Sequence, residues 1–150
     1  MKNIFGNKYL LFLFRIVLAF VFIYAGIEKI ADPSGFSDSL DNYRILPLFS
    51  VNIFAIILPW IELIAGLFLL FGIKVKENSL IISFCLCVFI IAITISLFRG
   101  LNIDCGCFGT VNGSKVGVYK LVEDFVLLLM GVLLINFDSK FLSLKNQTEN

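Results

Sequence analysis

The sequence contains no histidine, and this absence excludes several kinds of chemistry. Haem, copper or zinc sites that depend on histidine ligands are ruled out, and so is any histidine-based catalytic triad. Chemistry in this chain therefore has to come from Cys, Asp, Glu, Lys, Arg or Tyr side chains, or from a bound organic cofactor.

Charged residues are also scarce. They make up 15% of the 150 residues, whereas 59% are hydrophobic, and a soluble domain carries about 25% charged residues. The mean hydropathy is +0.99, which places the chain among membrane proteins. The net charge of +1 gives no reason to expect a nucleic-acid partner.

Four apolar segments are long enough to cross a bilayer, which takes about 20 residues each. No segment alternates as a strand does. The sequence therefore predicts one all-α integral membrane domain, a bundle of four transmembrane helices followed by a polar tail. The spans are expected at about 9–30, 51–73, 78–98 and 118–137, and the tail at 138–150. The first span has no signal-peptide cleavage site after it and is interpreted as an uncleaved helix.

A short helix is expected between the first two spans. Asp32 followed by Pro33 is a typical helix start, and Phe36, Leu40 and Tyr43 recur at helical spacing. This pattern predicts an interfacial helix in the outer loop. Counted near the ends of the spans, Lys and Arg residues are more numerous by one on the side of the N- and C-termini. This difference favours cytoplasmic termini.

The most unusual polar segment, "RGLNIDCGCFGTVNG", lies between the third and fourth spans. A disulfide between Cys105 and Cys107 would be strained, and Gly106 between them permits the tight turn. Such a bond is easily exchanged and closes too short a loop to stabilise the fold much. Redox activity is the favoured interpretation. The alternatives are a soft-metal pair, for which only Asp104 and distant cysteines could add ligands, or no role; no metal site is predicted.

A second pair, Cys85 and Cys87, lies inside the third span. On a helix, residues at this spacing point about 200° apart, so the two cannot bond to each other. The favoured interpretation is that they are small apolar side chains. The alternative makes one of them a resolving thiol for the loop pair.

Charged residues inside the spans are further candidates. Arg15 and Glu62 are expected to face the bundle interior, where an extended Arg15 could form an ion pair with Glu62. Structural pairing and a functional role are equally favoured. Lys29, near the outer end of the first span, is the preferred cation for lowering the pKa of a loop thiol. Glu123 and Asp124 are candidate proton carriers, although interfacial anchoring would explain them equally well.

The chain resembles the MauE branch of the DoxX-like membrane proteins. The segments "RIVLAFVFIYAGIEKIADPSGF", "NYRILPLF" and "LPWIELIAGLFLLFGI" are similar to the core of that superfamily, and "RGLNIDCGCFG" is similar to MauE. The resemblance implies a four-helix bundle in the bacterial cytoplasmic membrane, like that of the vitamin K epoxide reductase group. That group has C-x-x-C at a helix end, where this chain has C-x-C in a loop.

The resemblance also implies a role in disulfide handling, in which MauE proteins mature a disulfide-rich periplasmic dehydrogenase subunit with thioredoxin-like partners nearby. The motif positions are then Cys105 and Cys107, supported by Arg15, Lys29 and Glu62. The leading hypothesis is a thiol–disulfide oxidoreductase with an extracytoplasmic C-G-C loop and a membrane quinone as candidate cofactor. The alternatives are a non-enzymatic assembly factor for an extracytoplasmic client, a DoxX-like quinone-linked subunit, and a transporter.

Overall fold

The structure is a computed structural model that describes residues 8–43, 47–100 and 118–137. All regular structure in these ranges is helical, which confirms the predicted all-α class. The five helices are α1 (Lys8–Ala31), α2 (Pro33–Asn42), α3 (Leu48–Phe71), α4 (Val75–Phe98) and α5 (Val118–Asn136).

Three of the described helices are long and apolar enough to cross a membrane, over Tyr9–Ala31, Phe49–Phe71 and Val75–Phe98. Large apolar side chains point outward from them, among them Phe20, which is 60% exposed, and Phe84, which is 69% exposed. An outer surface of this kind suits lipid. The fourth predicted span is helical, but α5 carries Lys120, Glu123 and Asp124 near its start and is not one of the three.

The short helix α2 forms where the sequence predicts it. Asp32 caps the helix by accepting a hydrogen bond from the backbone N–H of Gly35 at 3.0 Å, and Pro33 occupies the first turn. Phe36 is fully buried on the inner face of α2. This face packs mainly against α3 and thereby covers part of the bundle.

The most extensive helix pair is α1 with α3. Gly26 lies against Pro59 and Leu63, while Gly66 lies against Ala19 and Ile23, so the two helices run antiparallel. A Cβ atom placed on Gly26 would lie 3.0 Å from the backbone nitrogen of Leu63. The missing side chains therefore let the two backbones approach closely, as small residues do in membrane helix pairs.

The second extensive pair is α4 with α5. Here Gly131 faces Ser83, whose Oγ atom would lie 2.5 Å from a Cβ placed on the glycine. A tight link joins α3 to α4: Gly72 ends α3 in the left-handed region with φ 71°, and Lys74 precedes α4 with φ 44°. Both α3 and α4 begin about three residues earlier than predicted.

Candidate functional site

The predicted reactive segment, Asp104, Cys105, Gly106 and Cys107, lies outside the described residues. Its role stays a prediction. The structure does describe the two helix ends that the segment joins, the C-terminus of α4 and the N-terminus of α5. At the first of these ends, the Arg99 guanidinium donates a hydrogen bond to the backbone carbonyl of Tyr43 at 3.5 Å, which ties α4 to the chain after α2.

A buried ion pair connects α1 with α3. The Lys29 ammonium donates hydrogen bonds to both carboxylate oxygens of Glu62, at 2.9 and 2.8 Å. The two side chains are only 1% and 2% exposed. A two-point, charge-assisted contact of this kind is among the strongest that side chains make. Because both charges are removed from water, each depends on the other for its stability in the bundle.

Glu62 thus binds Lys29 and not Arg15, the partner that the sequence also allows. The antiparallel register of α1 and α3 puts Arg15 level with the C-terminal end of α3, about 15 Å along the helix axis from Glu62. Arg15 is nevertheless buried, as predicted, at 2% exposure. Its guanidinium lies 4.9 Å from the centroid of the Phe12 ring on its own helix.

Two aromatic rings complete the surroundings of the Lys29 ammonium. The Nζ atom lies 4.9 Å from the ring centroid of Phe36 on α2 and 4.8 Å from that of Phe89 on α4. The negative face of an aromatic ring attracts a cation, most strongly where water is excluded. Sequence reasoning missed this role for both rings, because Phe36 and Phe89 are far apart in the chain and no local pattern links either one to Lys29.

Asp124 brings a second carboxylate into the same region. It is fully buried, and neither of its oxygens has a hydrogen-bond partner among the described residues. The charges that act on it most strongly are those of Glu123 and Lys120 on its own helix, followed by that of Lys29 on α1. Glu123, predicted alongside it, instead points to the surface at 38% exposure and binds Lys120 at 2.9 Å. Of these two neighbouring carboxylates, only Asp124 is therefore buried in the bundle.

All five described helices thus supply a residue to one buried group, which we name the Lys29 cluster. It comprises Lys29 from α1, Phe36 from α2, Glu62 from α3, Phe89 from α4 and Asp124 from α5. Three of the predicted supporting residues come together here, while Arg15 and Glu123 do not belong to it. A buried charge at the meeting point of every helix is a strong candidate for a functional group.

Tyr43 lies at the edge of this cluster and is itself buried. Burial raises the pKa of its phenol above the usual range, and the charge of Asp124 adds to the effect. The phenol therefore stays protonated and remains a hydrogen-bond donor.

An apolar groove of about 400 Å³ adjoins the cluster. Its walls come from α2, Tyr43, α3 and α4: Leu40, Tyr43, Phe54, Leu58, Phe84, Cys85, Val88, Phe89, Ile91, Ala92 and Ile95. Phe89 belongs to the groove and to the cluster, and the charges of Glu62 and Lys29 act on Cys85. The groove therefore ends beside the buried charges.

The two cysteines of α4 lie on opposite sides of the helix, as their spacing predicts. Cys85 is buried in the apolar core, whereas Cys87 is exposed on the outer surface. Neither forms a disulfide. Within the described ranges, no group of three or more Cys, Asp or Glu side chains is placed to hold a metal ion.

Comparison with known proteins gives one consistent result. The family model for methylamine utilisation protein MauE matches residues 7–137. The methylamine utilization protein MauE of Paracoccus denitrificans is 32% identical over 109 residues, 72% of this chain and 58% of its own length. That of Methylorubrum extorquens is 32% identical over 102 residues, 67% of this chain and 54% of its own. That of Methylophilus methylotrophus is 30% identical over 112 residues, 73% of this chain and 59% of its own.

The chain therefore spans between 54% and 59% of the length of these three relatives. No solved structure matches it. The wider placement among DoxX-like proteins stays a resemblance.

Proposed function

The chain belongs to the MauE family of membrane proteins, and from this premise we propose that it is a membrane-embedded thiol–disulfide protein. In this proposal Cys105 and Cys107 support disulfide formation, or maturation more generally, in a protein outside the cytoplasm. The curated relatives are named for methylamine utilisation, and we extend to this chain an accessory role in that process. Its direct partner would be the client protein or a thioredoxin-like carrier.

The observation that carries the proposal is the position of the Lys29 cluster beneath the ends of the C-G-C loop. Asp124 lies six residues after the start of α5, about 9 Å along that helix. Cys105 follows Gly100 at the end of α4 by five residues, which span at most about 17 Å. This length allows a loop thiol to approach a buried ammonium and a carboxyl, and we propose that these groups assist thiolate formation and proton transfer.

The proposed thiol–disulfide exchange takes place in two steps. A thiolate of the client attacks one sulfur of the Cys105–Cys107 disulfide, and the other sulfur leaves as a thiolate that takes up a proton. The second client thiolate then attacks the mixed disulfide, which releases the client disulfide and leaves both loop cysteines reduced. The client has lost two electrons and the loop has gained them.

Renewed oxidation of the loop needs a two-electron acceptor, for which we propose a membrane quinone. When bound, a quinone takes up two electrons and two protons. The apolar groove is the candidate site for the ring, because Tyr43, Phe54, Phe84 and Phe89 are among its lining residues. Phe89 would bring the bound ring next to the Lys29 cluster, to which it also belongs.

For topology, we propose four crossings, with α5 as the last, in a bacterial cytoplasmic membrane. Both termini would then be cytoplasmic and the loop between α4 and α5 extracytoplasmic, where disulfides persist. The three apolar helices support the first three crossings. The burial of Asp124 supports the fourth, because α5 packs against α4 and α1 with this carboxyl inside the bundle.

Single cysteine substitutions test the proposed chemistry. Cys105→Ser and Cys107→Ser each leave one loop cysteine without the second thiol that would release a bound partner protein. One of the two variants should therefore accumulate a mixed disulfide with that protein. The measurement is a non-reducing gel followed by mass spectrometry of the captured species. Cys87→Ser, which removes an exposed thiol from α4, is the matched control and should capture nothing new.

Labelling of intact cells with a membrane-impermeant maleimide tests the location of the pair. Two labels that appear only after mild reduction, and that are lost together in the double cysteine variant, would support an outward-facing disulfide. Labelling of both thiols without reduction, together with normal client maturation by the double variant, would contradict the redox proposal. It would favour the non-enzymatic assembly factor instead.

A further inference from the structure

Asp124 is the one group of the Lys29 cluster whose charge has no direct partner in the described residues. Its carboxyl is fully buried, and neither oxygen accepts a hydrogen bond there. The Lys29 ammonium is already held by both oxygens of Glu62. An ionised carboxylate in this position would carry the full cost of desolvation with no hydrogen bond in return, and such groups usually respond by binding a proton.

Among the described residues, two cations act on Asp124. Lys120, on the same helix, acts more strongly and is bound to Glu123 near the surface, whereas Lys29, on α1, is fully buried and bound to Glu62. The titratable and charged groups that act on Asp124, or that adjoin the Lys29–Glu62 pair, are Lys29, Tyr43, Glu62, Cys85, Lys120 and Glu123. Of the two cations only Lys29 is fully buried, and its direct partner is Glu62.

We propose that Asp124 is a proton-binding site of the bundle, and that Lys29 is the counter-charge which it shares with Glu62. With a proton on Asp124, the cluster is electrically neutral and Lys29 stays bound to Glu62. The structure contains this Lys29–Glu62 pair. When the proton leaves, the Asp124 carboxylate competes with Glu62 for Lys29. Charged side chains on α1, α3 and α5 then interact with one another.

Proton binding at this site can be measured without the loop cysteines, because every group in it belongs to a described helix. Its ligand is a proton from water rather than a thiol. A carboxyl that gains and loses a proton in a water-poor bundle is suited to moving protons toward or away from a membrane reaction. The proposal therefore holds or fails separately from the proposed thiol–disulfide function.

Infrared spectroscopy of the full chain in lipid nanodiscs, recorded as pH is raised, tests the proposal directly. A protonated buried carboxyl absorbs apart from the amide and carboxylate bands and shifts in heavy water. We expect one such band, which should persist at pH values where exposed carboxyl groups have already ionised. Asp124→Asn should abolish the band, whereas Glu123→Gln, the surface neighbour on the same helix, should keep it.

A second variant tests the role of Lys29 and remains informative if Asp124→Asn does not fold. Glu62→Gln removes the competing carboxylate, so Lys29 becomes available to Asp124 and the midpoint should move to lower pH. The proposal is overturned if the wild-type chain shows no band above the ordinary aspartate range, if the band persists in Asp124→Asn, or if Glu62→Gln leaves the midpoint in place. Loss of the band on addition of sodium or potassium at constant pH would identify a cation site instead.

Discussion

The two main helix pairs of the bundle treat their buried polar groups in opposite ways. Between α1 and α3, the buried charges of Lys29 and Glu62 satisfy each other through two hydrogen bonds. On α4 and α5, the hydroxyls of Ser79 and Ser83 and the carboxyl of Asp124 are buried with no hydrogen-bond partner in the described residues. On α1, one carboxylate oxygen of Glu28 is also buried without a partner there.

This difference indicates which pair is fixed and which can respond. A satisfied, two-point ion pair between closely packed backbones holds α1 and α3 in one register. Unsatisfied polar groups are costly in a purely structural interface, and they persist where function requires them or where a partner arrives later. The α4–α5 pair is also the one that the C-G-C loop joins. The division therefore separates a closely packed, ion-paired α1–α3 frame from an α4–α5 half in which buried polar groups lack partners among the described residues.

Breaking the Lys29–Glu62 pair should have the largest effect on stability. Lys29→Met leaves Glu62 buried with no cation beside it, and loss of one partner from a buried pair costs about 3–5 kcal/mol. We expect the free energy of unfolding in mixed micelles to fall by about this amount. The paired variant Lys29→Met/Glu62→Met removes both charges and should recover most of the loss. A single variant as stable as the wild type would show that the pair does not hold α1 to α3.

Matched glycine substitutions compare the two interfaces more finely. In Gly26→Ala the new methyl group meets backbone atoms of Leu63 and Pro59 at 3.0 Å, which can move only if the helices separate. We expect the free energy of unfolding to fall by about 1–3 kcal/mol, as in overpacked cores.

Gly131→Ala is the matched variant at the other interface. Its methyl group meets the Ser83 hydroxyl, which can rotate away, and the gain in helix propensity of about 1 kcal/mol offsets the contact. Thermal unfolding of both variants in the same detergent measures the difference, and equal losses would contradict the distinction.

Much of the fold was predictable because its signals are local. The Asp32 cap and the spacing of Phe36 and Tyr43 define α2 without any knowledge of its neighbours. The opposite orientation of Cys85 and Cys87 follows from helix geometry alone. The burial of charged side chains within apolar spans follows in the same way from the cost of exposing them to lipid.

The pairing within the site was not predictable, because it depends on helix register. The sequence indicates that Glu62 needs a buried cation, but α1 offers two, Arg15 and Lys29. The close approach at Gly26 and Gly66 fixes the axial position of α1 relative to α3, and this position decides which of the two cations meets Glu62. The aromatic rings around Lys29 come from helices that meet only in the folded bundle, so no pattern along the chain identifies them.

The smallest expected effect concerns the serine hydroxyls between α4 and α5. Because the Ser83 hydroxyl is buried without a partner, Ser83→Ala removes an unsatisfied group and should change stability by less than about 1 kcal/mol, in the stabilising direction. The same substitution removes the atom that a methyl group at position 131 would meet. The double variant Ser83→Ala/Gly131→Ala should therefore be at least as stable as Gly131→Ala alone. If Ser83→Ala instead costs as much as Gly26→Ala, its hydroxyl has a partner in the membrane, and the α4–α5 interface is as well satisfied as the α1–α3 interface.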